Sequence, residues 1–151
     1  MNKFNSVDDI LHFAIRSAQE TADFFIRLSK QARNSKMKRV FETYAREEFA
    51  YMVRLTRVRE IGPLEITQEQ MEELKLSDYI IDLRKDKELK YSEALIMAMR
   101  KVRAAFRLYH DLASKTPNSE IQTVFRSLAE AEVKHKRGFE IEYNESLLLC
   151  C

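Results

Sequence analysis

The sequence predicts an all-α protein, a four-helix bundle made of two helical hairpins, and three observations support this. Two glycines and two prolines in 151 residues leave few positions for the tight turns that sheets need. Charged residues make up 33% and apolar residues 45% of the chain, a mixture that suits long amphipathic helices. Apolar residues also recur with helical spacing in four long segments, which short turns and one long connection separate.

The first hairpin is predicted over about residues 6–60. Ser6 is an N-cap residue type, and two aspartates follow it in the first turn, where the helix dipole favours negative charge. The first helix should cover about 6–33. The second should cover about 35–60, because Gly62-Pro63 then ends it.

A connection over about residues 61–91 is too long for a hairpin turn and is expected to be a crossover. It contains a short predicted helix, Thr67 to about Lys75, with the threonine as its cap. The second hairpin should cover about 92–144, with an apolar tail over 145–151. We expect residues 1–151 to form a single domain.

An internal repeat supports the two-hairpin architecture. An ungapped offset of 84 positions superimposes matching residues in the two halves: Leu11 on Leu95, Ala14 on Ala98, Leu28 on Leu112, Phe41 on Phe125, Ala45 on Ala129 and Glu48 on Glu132. Two copies of a hairpin joined by a long connection form a bundle with one crossover. In that layout the two glutamates are expected to approach each other near the core.

Composition limits the classes of function. The net charge is 26 − 24 = +2, which favours neither nucleic acid nor an anionic membrane surface. No apolar run approaches the roughly 18 residues of a membrane span, and residues 1–6 lack a signal-peptide core. The only cysteines are Cys150 and Cys151, so neither a disulfide framework nor a Cys-x-x-Cys metal site is expected, and the predicted compartment is the cytoplasm. The apolar tail suggests self-association, for which a homodimer is the simplest form.

In the second helix of each hairpin, a glutamate interrupts the apolar stripe. The two stripes share i, i+3, i+4 and i+7 spacing: Phe41, Tyr44, Ala45, Glu48, Tyr51, Met52 and Leu55 in one, and Phe125, Leu128, Ala129, Glu132, His135 and Phe139 in the other. Burying a carboxylate among aromatic rings is costly unless something neutralises it. Two such carboxylates, one followed by a histidine, indicate a metal site or the remains of one.

The two hairpins resemble the rubrerythrin branch of the ferritin-like superfamily over nearly the whole chain. The family's second helix reads roughly Phe-x-x-Leu-Ala-x-x-Glu-x-x-His. Here the corresponding stretches are Phe41-x-x-Tyr44-Ala45-x-x-Glu48-x-x-Tyr51 and Phe125-x-x-Leu128-Ala129-x-x-Glu132-x-x-His135. The resemblance implies a ferritin-like four-helix bundle, and in the family that bundle holds a di-iron centre.

The family's six metal ligands map onto Ala18, Glu48, Tyr51, Val102, Glu132 and His135. Three are metal-ligand types, namely Glu48, Glu132 and His135, and Tyr51 is expected beside them. The ligand positions in the first and third helices have been lost to Ala18 and Val102, and the nearby Glu20 and Asp23 point elsewhere on the helix. We therefore expect no full di-iron centre, and either no cofactor or a single iron, manganese or zinc ion.

Four interpretations remain open at this stage. A single metal ion binds the three surviving ligands, or no metal binds and Glu48, Tyr51, Glu132 and His135 close a hydrogen-bond network. Alternatively an intact redox enzyme recruits an unexpected ligand, or the two glutamates reach water.

The resemblance implies a bundle with a decayed di-iron site that acts as a scaffold or binding module. The alternative is an iron-dependent oxidoreductase of peroxide or oxygen, with Glu48, Glu132 and His135 as iron ligands and Tyr51 as a proton donor. The chain lacks the paired cysteines of a rubredoxin module, the electron-relay partner of full rubrerythrins. His12 and His110 are expected at the surface. A basic cluster lies at the first hairpin tip: Arg27, Lys30, Arg33, Lys36, Lys38 and Arg39. It either contacts an acidic partner or polyanion, or it is a solvated surface that glutamates of the crossover (Glu65, Glu69, Glu72 and Glu73) can neutralise.

Overall fold

A computed structural model describes residues 2–84 and 87–150 of the chain. This described part contains five α-helices. They are α1 (Val7–Gln31), α2 (Ser35–Ile61), α3 (Gln68–Glu73), α4 (Tyr91–Lys115) and α5 (Ser119–Cys150), with a 3-10 turn at Leu76–Asp78. The hairpins α1–α2 and α4–α5 pack through contacts of α1 with α4 and of α2 with α5. This confirms the predicted four-helix bundle with one long crossover.

Side-chain caps define the helix starts where the sequence placed them. The Ser6 hydroxyl accepts a hydrogen bond from the amide of Asp9 at 3.1 Å, and Asn34 Oδ1 accepts one from the amide of Met37 at 2.8 Å. Thr67 caps α3 in a reciprocal capping box with Gln70.

The last helix is longer than predicted. The sequence placed its end at about residue 144, but α5 continues to Cys150, because 144–150 contains no glycine or proline and its three leucines favour helix. Leu148 is 81% exposed and Leu149 71% exposed, so the apolar tail is a helical end that does not pack on the bundle. Cys151 lies outside the described residues.

Within the basic cluster at the hairpin tip, Arg33 pairs with α5, while Arg27 donates to backbone carbonyls of the crossover. The guanidinium of Arg33 donates to both carboxylate oxygens of Glu142 at 2.8 Å and to Glu145 at 2.9 Å. The predicted crossover partner Glu73 instead pairs with Lys115 at 2.6 Å. Glu73 lies near the end of α4, whereas α5 extends as far as the turn between α1 and α2, so the acidic partners of Arg33 come from α5.

Apolar side chains form two separate clusters along the bundle. One contains Leu55, Tyr79, Leu112 and Phe125, and the other contains Phe25, Phe41, Leu95, Val102 and Phe139. On both α2 and α5, the residues between these clusters include buried polar groups. Among the described residues, no helix has both the length and the hydropathy that a membrane span requires.

Candidate metal centre

Three ionisable side chains are buried between the two apolar clusters. Glu48 of α2 and Glu132 of α5 are fully buried, and His135 is 2% exposed. One potential ligand atom of each lies within 4.8 Å of those of the other two. The structure therefore brings together the three side chains that the sequence singled out, and the interpretation in which the glutamates reach water is wrong.

His135 contacts three carboxylates through its two ring nitrogens. Nδ1 lies 3.2 Å from Glu48 Oε2 and 3.1 Å from Glu132 Oε1. Nε2 points the other way and lies 2.9 Å from Oε1 of Glu47, whose side chain is 49% exposed. The imidazole therefore connects the buried pair of glutamates to a carboxylate at the surface.

The electrostatics of this cluster favour a charged imidazole and a protonated glutamate. Burial lowers the pKa of His135, but hydrogen bonds to Glu132 and Glu48 outweigh it and raise the pKa to about 10. Burial and the negative charge of Glu132 raise the pKa of Glu48 well above its ordinary value, against an opposing effect of His135. Near neutral pH the protonated imidazole donates from Nδ1 to the buried pair and from Nε2 to Glu47.

Aromatic rings surround the imidazole. The ring centroid of Tyr44 lies 4.3 Å from that of His135 at an interplanar angle of 30°, and Tyr51 stacks at 6.0 Å and 24°. Phe25 packs edge-on at 5.9 Å. Tyr51 thus lies beside the cluster, as the sequence predicted, and the rings restrict the orientation of His135.

Gly138 makes room for Tyr44 in the middle of α5. A Cβ at this position would lie 2.0 Å from the Tyr44 hydroxyl and 3.0 Å from the ring carbon that carries it. A glycine inside a helix costs roughly 1 kcal/mol relative to alanine. Its presence one turn after His135 allows the tyrosine ring to lie over both residues.

We expect Gly138→Ala to destabilise the protein despite the better helix propensity of alanine. The new methyl group displaces Tyr44, which also packs on Phe25 and Phe139, and such overpacking costs about 1–3 kcal/mol. Chemical denaturation of both proteins measures the change.

The matched control is the same substitution in a Tyr44→Phe background. Without the hydroxyl the worst contact is gone, although ring carbons still lie at 3.0 and 3.2 Å. The cost of the alanine should therefore be smaller in this background. An alanine that stabilises the wild-type protein would show that Tyr44 moves freely.

Two of the positions onto which the family's ligands were mapped are apolar and buried in the structure. Ala18 of α1 is 1% exposed and Val102 of α4 is fully buried. Asp23 is exposed, and its carboxylate accepts a hydrogen bond from Gln19 at 3.1 Å. Neither Ala18 nor Val102 offers a metal ligand, so the residues present do not fit a two-metal centre.

The same residues do fit one metal ion. Glu48 Oε1 and Glu132 Oε2 are buried and have no hydrogen-bond partner within the described chain. An unpartnered buried acceptor costs about 1–3 kcal/mol or more, so both oxygens favour a further partner. Two carboxylates and one imidazole form a donor set for Fe(II), Mn(II) or Zn(II), and coordination would satisfy these oxygens.

Sequence reasoning missed three residues of this site. Glu47 lies 100° around α2 from Glu48 and looked like a surface residue, while Tyr44 was assigned only to the apolar stripe. Tyr109 of α4 is buried, and burial together with the charges of Glu132 and Glu48 raises its pKa well above its ordinary value. The one available signal was the glycine at position 138, since a mid-helix glycine often marks a close approach.

Comparisons with known proteins give a family and a fold. A sequence profile of the family named Rubrerythrin matches residues 9–143. A candidate ferritin-like diiron-carboxylate protein from Thermotoga maritima has a similar structure, with a TM-score of 0.75, 21% identity and coverage of 97% of this chain and 99% of the other. A hypothetical protein from Pyrococcus furiosus has a TM-score of 0.74, 19% identity and coverage of 96% and 92%. No functionally curated protein matches the chain.

Proposed function

Because this chain belongs to the rubrerythrin family, we propose that it binds one divalent metal ion at the part of the family's ligand set that it keeps. The ligands are Glu48, Glu132 and His135. Substitution at the other ligand positions prevents a second ion from binding. In this proposal the site is a single-metal centre, and the fold of the bundle does not depend on a di-iron cluster.

The observation that supports the proposal most directly is the pair of buried, unpartnered carboxylate oxygens. If all three carboxylates around His135 were ionised, the cluster would carry one positive and three negative charges. A cation bound between Glu48 and Glu132 would reduce that excess of negative charge and provide the missing partner for both oxygens.

The chain's own residues prepare His135 for this role. The Nδ1 proton occupies the position between the two glutamates, so metal binding requires its loss. Glu47 accepts the Nε2 proton at 2.9 Å in the arrangement by which carboxylates commonly orient metal-bound histidines. We assign Glu47 the role of orienting the ring, so that Nδ1 faces the buried pair.

A metal ion held by Glu48, Glu132 and His135 would supply Lewis-acid chemistry or, for iron, redox chemistry toward peroxide or oxygen. Tyr44 and Tyr51 pack around His135 and limit the access of water from their sides.

We expect one metal ion per chain after anaerobic reconstitution with Fe(II), Mn(II) or Zn(II), measured by mass spectrometry of the desalted protein. His135→Ala should lose that ion, because two carboxylates alone bind far more weakly. His110→Ala is the matched control, since His110 is exposed and lies outside the cluster. It should retain the full metal content.

Two ions per chain would overturn the single-metal proposal and restore a di-iron centre. A metal content that is equal in both alanine variants would place the ion elsewhere. No metal in the wild-type protein would contradict the proposal and leave the bundle as a metal-free scaffold.

A further inference from the structure

A second candidate site lies on the outer face of the second hairpin, away from Glu132 and His135. It is a groove of about 510 Å³ between α4 and α5. Its apolar residues are Phe106, Ala129 and Val133, and its basic residues are Arg126, Lys134 and Arg137. This volume lies within the range of small-molecule sites in proteins, roughly 300–1,000 Å³.

The apolar floor comes from both helices. Ala129 is buried, while Phe106 and Val133 are half-buried and face the groove. Phe106 also stacks on His110, with centroids 5.7 Å apart and an interplanar angle of 25°. The floor therefore offers a flat aromatic surface continued by small aliphatic side chains.

The cations at the rim are not neutralised by the protein. Arg126, Lys134 and Arg137 are exposed and form no ion pair or hydrogen bond with another side chain of the described residues. Glu130 is the one carboxylate that lines the groove, which leaves a net charge of +2 when His110 is neutral. In contrast, Lys136 on the same helix faces Glu140 at 3.9 Å.

We propose that this groove binds a small amphipathic anion, an acyl or aryl carboxylate, with its apolar part on Phe106 and Val133 and its carboxylate among the cations of α5. An apolar floor alone would not distinguish an anionic ligand from a neutral one, and cations alone would not distinguish an apolar anion from a polar one. Their combination in one concave site matches a molecule that carries both. The proposal is independent of the metal site.

The test uses 1-anilinonaphthalene-8-sulfonate, an amphipathic anion that fluoresces in apolar sites, with the full-length folded protein. Decanoate and 1-decanol are the competitors, because they share the alkyl chain and differ in charge. We expect one probe per chain and displacement by decanoate at a concentration about tenfold or more below that of decanol. Amide chemical-shift changes should cluster at residues 106–110 and 126–137.

Three variants localise the binding. Arg137→Gln should weaken decanoate about three- to fivefold, as expected for a rim charge in water, and Val133→Asp should abolish binding by placing a carboxylate in the floor. Lys136→Gln is the matched control and should bind like the wild type.

Equal displacement by decanol and decanoate would overturn the proposal, as would displacement by inorganic phosphate at the same concentration as decanoate. Dissociation of a dimer by Arg137→Gln, seen in sedimentation, would also overturn it. That result would mean that the groove is occupied by a second copy, through its exposed end at Leu147–Leu149.

Discussion

Replacing Glu48 by leucine should raise the melting temperature of the metal-free protein and abolish its metal binding. The buried glutamate is one of three carboxylates around a single imidazole, and its Oε1 has no hydrogen-bond partner among the described residues. Leucine removes a buried carboxyl group that lacks a full set of partners, while His135 keeps Glu132 and Glu47 as partners. Replacement of buried ionic groups by apolar ones of similar volume is often neutral or stabilising by about 1–4 kcal/mol.

The gain should depend on pH in a defined direction. The folded-state pKa of Glu48 lies well above its ordinary value, for which burial is the first cause. Its contribution to stability is therefore largest below the unfolded-state pKa of about 4.5 and is lost as the pH rises through the folded-state value. The advantage of leucine should accordingly grow from about pH 4.5 upward.

Thermal denaturation at several pH values, after treatment with a chelator, measures this effect. Glu48→Gln is the matched control, because it removes the charge and keeps the polar group. It should recover only part of the gain. A marked fall in melting temperature for Glu48→Leu would show that the carboxylate is well compensated in the metal-free state.

Glu142→Ala should have the opposite effect and lower the melting temperature by about 5–10 °C. This carboxylate is 1% exposed, but each of its oxygens has strong donors. Arg33 donates to Oε2 through Nε and to Oε1 through Nη2, both at 2.8 Å, and the Tyr91 hydroxyl donates to Oε2 at 2.6 Å. The substitution leaves the hydroxyl and the guanidinium without their main acceptor.

Scanning calorimetry of Glu142→Ala beside Glu145→Ala tests this prediction. Glu145 also contacts Arg33, at 2.9 Å, but its side chain is 55% exposed, so its loss should change little. Equal effects of the two substitutions would mean that the buried ion pair of Arg33 with Glu142 contributes no more to stability than a surface ion pair.

The bundle and the clustering of Glu48, Glu132 and His135 could be predicted from the sequence because both depend on helical periodicity. The spacing of Glu132 and His135 places both on one side of α5 whatever the rest of the chain does. The contact of Glu47 with His135 could not be predicted in this way, because it depends on how far apart α2 and α5 lie and on the ring's rotamer. Periodicity assigns a residue to a face, but it does not measure the distance between two helices.

Contacts at the ends of the bundle were predicted less well for a similar reason. The basic residues near Arg33 were visible in the sequence, but their partner depended on where α5 lies. The way the two hairpins pack places Glu142 and Glu145 of α5 beside the turn between α1 and α2, and only Glu145 lies in the part of α5 that extends past residue 144. The sequence shows that these basic residues need an acidic partner, but the tertiary structure decides which residue that partner is.

The paired hydrogen bonds between Arg33 and Glu142 also have a mechanical consequence for the cluster of Glu48, Glu132 and His135. Glu142 follows His135 by seven residues, about 10.5 Å along a stiff helix, and Arg33 immediately precedes the cap of α2, the helix that carries Glu47 and Glu48. These two hydrogen bonds of 2.8 Å therefore fix the position of α5 along the axis of α2. A slip of one helical turn, about 5.4 Å, would break these hydrogen bonds and carry His135 out of reach of Glu47 and Glu48 of α2.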